Sequence, residues 1–308
     1  MQLQPFHLSS GNLIADRRFE WARDCQAKGD LAGAADLLIQ ALELAPDYAS
    51  AWFVLGELRE KHGDHAGAIA AFEHAQAADP SDHHGATVHL MRLGARATAA
   101  MPEVYVRALF DGYALGFDTA LTEGLGYRAP ELLLDAVQAA HARAHMKFGS
   151  VLDLGCGTGL AALPFRPFSD WTVGVDLSTA MLAQARRKGL YDRLIEAEVQ
   201  RYLTEEAKID ARYHLVLAAD VFMYFDDLGP VLKAAAQVVA PAGQLAFSVE
   251  THDGDGVLLR ETLRYAHGEA HVLQAVAAAG LKPVSLASAS TRVEKGVPVP
   301  GLIVLATH

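Results

Sequence analysis

The sequence predicts an α/β protein: a doubly wound, mostly parallel sheet with an antiparallel hairpin at its edge, preceded by an all-α repeat domain. Three observations carry this. From residue 149 onward, strand-like apolar runs alternate with helical patterns. A glycine-rich turn, Asp153-Leu154-Gly155-Cys156-Gly157-Thr158-Gly159, follows the first of those runs and opens a helix. The first hundred residues repeat with a period of 34.

The repeat is read position by position. Gly29-Asp30 recurs as Gly63-Asp64, Ala34 as Ala68, Leu38 as Phe72, Ala41 as Ala75 and Pro46 as Pro80. This is the period of the tetratricopeptide helix pair, in which small residues let helices approach, large ones fill the gaps and proline stops each pair. The second copy is nearly ideal (Trp52, Leu55, Gly56, Gly63, Ala68, Phe72, Ala75, Pro80), and the first is weaker in its leading helix. A third copy from about His83 keeps one helix, to about Leu93. Two and a half repeats make a short solenoid, assigned to residues 1–98. Ala95–Pro102 interrupts the helical pattern. The arm reads as a rigid appendage that docks on the following domain or a second subunit. A peptide groove is the other reading, although no array of basic residues is present to clamp a carboxylate terminus.

Residues 99–148 read as a helical lid or linker. Helical spacing over 103–121 aligns Tyr105, Leu109, Phe110, Tyr113 and Phe117, and a second helix, 129–144, is entered through Pro130. Within 149–308, strands are expected near 149–154, 171–176, 192–196, 213–219, 243–249, 283–288 and 301–306. Helices are expected near 159–165, 178–188, 229–239 and 269–280. The last two strands, joined through 294–300, form the edge hairpin. Ligands in such sheets bind beyond the carboxyl ends of the strands.

Asp176 closes the second strand, 21 residues after Gly155. A carboxylate there can accept hydrogen bonds from both hydroxyls of a ribose. A dinucleotide loop wants its third glycine at the sixth position, but that position is Leu160 and the glycine comes early, at Gly159. Asp153 would sit poorly beside a pyrophosphate and suits a cofactor with a cationic amino-acid end. This Asp-x-Gly-x-Gly-x-Gly spacing resembles the S-adenosylmethionine (SAM) loop of class I methyltransferases. The expected cofactor contacts are Asp153, Gly155, Cys156, Gly157, Gly159, Asp176 and Leu177. Met181 is expected over the adenine, Glu198 on its amino group, and Ala219 beside the methionine part.

More of the chain resembles bacterial methyltransferases that carry N-terminal tetratricopeptide repeats. The resemblance rests on the repeats, Leu109-Phe110-Asp111-Gly112-Tyr113-Ala114-Leu115-Gly116-Phe117-Asp118, Leu125-Gly126-Tyr127-Arg128-Ala129-Pro130, the SAM loop, Gly174-Val175-Asp176-Leu177-Ser178 and Leu217-Ala218-Ala219-Asp220. It continues through Arg264-Tyr265-Ala266-His267 and the stretch from Arg292 to Gly301. It implies a class I fold, SAM as methyl donor and a helical segment, here 103–121, folding over the cofactor. It implies no substrate. Two residues depart from the pattern: His214 stands where strand four usually begins with Asp, and Glu198 replaces an Asp. Tyr113 and Arg128 are added to the cofactor contacts. Tyr105, Phe110, Phe117, Tyr127, Phe222 and Arg292 are the substrate-side candidates. An arginine fork at position 128 or 292 would hold a carboxylate. A base, if one is needed, would come from His267, His252 or Tyr224.

Composition narrows the setting. Of 308 residues, 51% are hydrophobic and the net charge is −11, with the acid excess shared between both parts. No basic face is available for nucleic acid or an anionic membrane. Cys25 and Cys156 form neither a disulfide framework nor a paired zinc site, so no metal is expected. The N-terminal stretch lacks an apolar signal core, and a cytoplasmic location is expected. The predicted activity is methyl transfer from SAM to an oxygen, nitrogen or sulfur atom of a small or medium-sized metabolite, with the repeat arm serving homodimerisation or a partner protein. The alternatives are a protein methyltransferase gripping its substrate with the repeats, and a non-catalytic interaction protein.

Overall fold

The computed structural model describes residues 8–141 and 146–308. It divides into two compact units, one ending at Gly112 and one running Tyr113–His308. The division falls inside the expected lid or linker, 99–148.

The first unit is helical: α1 (Leu13–Ala27), α2 (Leu31–Leu44), α3 (Ala49–Lys61), α4 (His65–Ala78), α5 (Ala86–Arg92) and α6 (Glu103–Tyr113). The 34-residue period has a local cause. Gly29 and Gly63 both take positive φ (83° and 77°), which ends one helix at no Cβ cost. Asp30 and Asp64 then cap the next helix, each accepting from a backbone N–H three residues on (Gly33 and Gly67) at 2.9 Å. Gly56 has a packing reason: a Cβ there would stand 2.7 Å from the Phe72 ring. Ala34, Leu38, Ala41, Leu55 and Leu58 fill one core, and Ala68, Phe72, Ala75 and Leu90 the next.

The second unit begins with a 3₁₀ turn (Ala114–Gly116), a single helical turn α7 (Phe117–Thr119) and a π-helical turn (Ala120–Gly124). Helix α8 (Ala129–Ala140) follows, with Pro130 in its first turn. The end of the expected helix 129–144 lies outside the described residues. Then come β1 (Val151–Leu154), α9 (Ala162–Phe165), β2 (Thr172–Asp176), α10 (Thr179–Lys188), β3 (Arg193–Glu196), α11 (Val199–Lys208), β4 (Tyr213–Ala218) and α12 (Leu228–Val238). The chain ends through β5 (Val239–His252), β6 (Val257–Leu259), β7 (Tyr265–Gly268), α13 (Glu269–Ala278), β8 (Lys282–Ala289), β9 (Val293–Glu294), β10 (Val297–Pro298) and β11 (Gly301–Thr307).

The sheet order is β3-β2-β1-β4-β5-β11-β8, parallel through β5 and antiparallel at β11. The direction of winding reverses between β1 and β4, so the crevice opens beyond the carboxyl ends of these two strands. Strands β1 and β2 are buried along their whole length, as a sheet covered on both faces requires. The final strand lies between β5 and β8, so the outer edge is β8 rather than the last strand; the intervening segment folds back as the small β9-β10 ladder. Two features go beyond the sequence expectation: α11, and the β6-β7 pair, whose second strand runs parallel to the end of β5. Among the described residues no helix is long and apolar enough to cross a membrane.

Candidate cofactor and acceptor site

The glycine-rich turn leaves β1 with three left-handed residues: Gly155 (φ 59°), Gly157 (φ 53°) and Gly159 (φ 93°). Gly155 also needs its lack of a side chain, because a Cβ there would stand 2.5 Å from Val221 on the neighbouring strand's loop. Asp176, at the tip of β2, pins this turn. Its Oδ2 accepts from Gly157 N and its Oδ1 from Ser178 N, both at 2.7 Å. Ser178 in turn caps α10 by accepting from Met181 N.

Asp153 lies at the end of β1, fully buried. Its Oδ2 accepts from the Tyr191 hydroxyl at 2.7 Å, whereas its Oδ1 has no hydrogen-bond partner. Burial pushes its carboxyl up to about 7, with the nearby Asp176 adding to the effect and Tyr191 opposing it. The Cys156 thiol is raised well above its ordinary value by burial and by the same two carboxylates, so it stays protonated. Three left-handed glycines, a buried carboxylate with one unpartnered oxygen and a second carboxylate one strand away thus come together at the ends of β1 and β2.

A cover lies over the turn. The Phe117 ring comes within 3.8 Å of where a Gly157 Cβ would be. Asp118 bonds Thr158 of the turn (2.5 Å) and pairs with Lys188 at the end of α10 (2.6 Å), and Lys188 also reaches the Thr158 hydroxyl. Asp118 ends the family-like stretch 109–118 and Thr158 lies in the glycine turn, but sequence reasoning gave no site role to either of them or to Lys188. The 3₁₀ and π-helical turns on either side of Phe117–Thr119 are irregular backbone of the kind found where a segment must bend.

Beyond the ends of β4 and β5 lies a buried ionic cluster. Asp220 takes a left-handed φ of 54°, unusual for a non-glycine residue, and Ser248 holds it there through both its N–H and its Oδ1 at 2.7 Å. Arg292 is 4% exposed and has every donor group engaged: Nη1 with Asp220 (2.9 Å), Nε with Glu294 (2.8 Å) and Nη2 with Glu250. Burial opposes its charge, but Asp220, Glu250 and Glu294 outweigh that and hold the proton more firmly than usual. Arg264 joins Glu250 (2.7 Å) and Glu294. Tyr224 and Tyr127 face this cluster and Tyr113 faces its Arg264–Glu294 side; burial raises all three phenols.

The structure moves several expected residues away from these roles. Arg292 is buried with each of its three nitrogens already paired, which does not suit it to a substrate carboxylate. Arg128 is the other candidate: its backbone N–H donates to Thr291 O at 2.7 Å, and among the described residues its exposed guanidinium has no partner. Met181 and Phe222 are fully buried and offer no surface, Phe222 packing against Phe225 and Phe247. Glu198 caps α11, accepting from Gln200 N and Arg201 N at 2.8 and 2.7 Å. His252 is held in its own turn, one ring nitrogen accepting from Gly254 N and the other on Gly256 O. His267 sits within β7, fully buried, and burial together with His271 drives its pKa down to about 4. Tyr105 is core of the first unit, against Gly85, and Phe110 also belongs to that unit. Leu177 and Ala219 remain part-exposed at the strand ends. His214, the departure at β4, meets Ser150 Oγ at 3.0 Å on the far side of the sheet from the turn. No group of metal-ligating side chains occurs among the described residues.

Parts of the chain are similar to known proteins. Residues 151–243 match the methyltransferase domain family, and residues 19–83 match the tetratricopeptide repeat family. A malonyl-[acyl-carrier protein] O-methyltransferase of Acetivibrio thermocellus is 34% identical over 106 residues, 33% of this chain and 36% of that protein. A ubiquinone biosynthesis O-methyltransferase of Rhodopseudomonas palustris is 30% identical over 93 residues, 30% of this chain and 36% of that protein. The chain thus spans little more than a third of the length of these relatives. Among solved structures, magnesium protoporphyrin IX methyltransferase from Synechocystis aligns with a TM-score of 0.49 at 18% identity, over 66% of this chain and 98% of that one. The chain is thus similar to methyltransferases over residues 151–243 and to tetratricopeptide repeat proteins over residues 19–83.

Proposed function

We propose that the protein transfers a methyl group from SAM to an oxygen, nitrogen or sulfur atom of a small or medium-sized metabolite. The observation that carries this is the pair Asp153 and Asp176 at adjacent strand tips, flanking a turn of left-handed glycines. When bound, SAM supplies an electrophilic methyl carbon on a sulfonium. The residues have the remaining tasks. Asp176 stands at the strand tip where a ribose would lie, the glycines let the backbone approach, and Phe117 and Tyr127 cover the site against water. Positioning of this kind can lower a barrier by up to roughly 7–11 kcal/mol.

His267 is fully buried, with both ring nitrogens unpartnered and its pKa driven down to about 4, and His252 is bonded within its own turn. This supports an acceptor that arrives with a usable lone pair, such as a carboxylate or thiolate, and both relatives named above are O-methyltransferases. Arg128 is the group suited to a carboxylate, on the acceptor or on SAM. The repeat arm serves homodimerisation or a partner protein, and a protein substrate gripped by the repeats is the second reading, supported by the 34-residue period itself. Two unpaired cysteines support a reducing, cytoplasmic setting.

The test uses the full chain with methyl-labelled SAM against a panel of metabolite acids, phenols, amines and thiols, with a cell protein extract in parallel. Label in a small molecule, lost in Asp176→Ala, is the expected result. Label only in protein favours the second reading. No label anywhere, with SAM bound, refutes the enzyme.

A further inference from the structure

Tyr191 has no place in the function derived so far, yet it is built into the centre of the site. It lies between α10 and β3. Its ring fills space that two glycines leave open: a Cβ on Gly174 would stand 2.8 Å from it, and one on Gly159 3.0 Å. Gly174 is a strand residue with no conformational need of its own, so its lack of a side chain is explained by this ring and by the Cys156 sulfur, 2.9 Å from the same point. The hydroxyl ends on Asp153 Oδ2 at 2.7 Å.

We propose that Tyr191 is a positioning residue that makes cofactor binding proton-linked: it holds Asp153 ready to give up a proton to solvent when a cationic ligand binds. This rests on the reading of the site as a SAM site. The titratable groups that face Asp153 are Tyr191 itself, Asp176 on β2, Cys156 in the turn and Tyr127 ahead of α8. None is a cation. Asp153 is therefore a buried carboxylate with one hydrogen bond, an unpartnered second oxygen and only neutral or acidic neighbours. Without a ligand its charge is barely supported, and burial leaves it near the midpoint of its titration at neutral pH. A cation in the adjoining turn favours the ionised form, and the proton leaves for the buffer. The Tyr191 hydroxyl favours that same form, so it lowers the pH at which the site becomes receptive.

The experiment is calorimetric titration of SAM into wild type and Tyr191→Phe between pH 6 and 8.5, in buffers of different ionisation enthalpy. Phenylalanine keeps the ring that packs on Gly159 and Gly174 and removes only the donor. SAM's own titration is common to both proteins and cancels in the comparison. A hydrogen bond to a charged group lost from Asp153 shifts the midpoint by about one pH unit. Tyr191→Phe should bind about 5-fold more weakly at pH 7, recover by pH 8.5 and release more protons at pH 7. Asp153→Asn should lose this component of the pH profile. Identical midpoints and proton release in wild type and Tyr191→Phe would overturn the proposal, leaving Tyr191 as packing. Absence of SAM binding by any of the proteins would overturn the cofactor reading and this inference with it.

Discussion

Replacing Asp118 by alanine should speed the release of the demethylated product, S-adenosylhomocysteine. Asp118 ties the cover to the glycine turn through Thr158 and to α10 through Lys188. Its side chain is 41% exposed and that of Lys188 23%, so the ion pair is screened and contributes about 0.5 kcal/mol. The bond from the Thr158 hydroxyl to a carboxylate is less exposed and contributes about 1.5 kcal/mol. Losing both weakens closure by about 2 kcal/mol, or about 30-fold in the rate of opening if these contacts break before the product leaves. Stopped-flow displacement of bound S-adenosylhomocysteine measures that rate. Thr158→Val should give the larger share of the effect, Lys188→Met the smaller, and raised salt should affect only the latter contact. A release rate changed by less than about twofold in Asp118→Ala, with a lowered melting temperature, would refute the reasoning and leave the contact as ordinary packing.

Other consequences are testable in the same preparations. Arg292→Met strands Asp220, Glu250 and Glu294 around a missing charge, and should lower stability by about 3–5 kcal/mol in urea denaturation. Gly157→Ala meets no clash, its Cβ being 3.8 Å from Phe117, but must hold a left-handed φ. It should lower SAM affinity at least about 10-fold, by calorimetry, with about 1–2 kcal/mol lost from the fold. His267 has its folded pKa depressed to about 4, against an ordinary value of 6.5, so the unfolded chain binds more protons between these values. Stability from this group is full above pH 6.5 and is lost as pH falls toward 4, by about 3 kcal/mol. His267→Leu should remove that part of the acid slope while keeping methyl transfer. His252→Ala should change turnover by less than about threefold, because the ring is spent on its own turn; a hundredfold loss would restore it as a base.

The repeats and the winding of the sheet were legible because they follow from local chemistry. Gly29-Asp30 and Gly63-Asp64 are helix ends written in sequence, and the glycine turn is set by three positive φ angles. Asp176 was legible for the same reason, since strand alternation fixes which residue reaches the tip of β2. What sequence did not disclose is set by contacts across many residues. Tyr191 meets Asp153 over 38 positions, and Arg292 meets Asp220 over 72. Arg292 therefore read as a free cation when it is the hub of a buried ionic cluster. Glu198 read as a ligand contact because α11 was not anticipated, although the amphipathic run after it signals a helix. His267 and Met181 illustrate burial, which periodicity alone assigns poorly in short β7 and at the start of α10. Tyr105, Phe110 and Phe117 read as one helical stripe, but the regular helix ends at Tyr113 and Phe117 begins a separate turn that approaches Gly157.

The most direct measurement is calorimetric titration of the full chain with SAM, S-adenosylhomocysteine and NAD at pH 8, with Asp176→Ala alongside. The site described here predicts one saturable SAM site per chain, binding of S-adenosylhomocysteine, none of NAD, and loss of at least about tenfold in affinity in the variant. Well-folded wild-type protein that binds no SAM, or binds NAD in its place, would contradict the assignment of the glycine turn and both carboxylates.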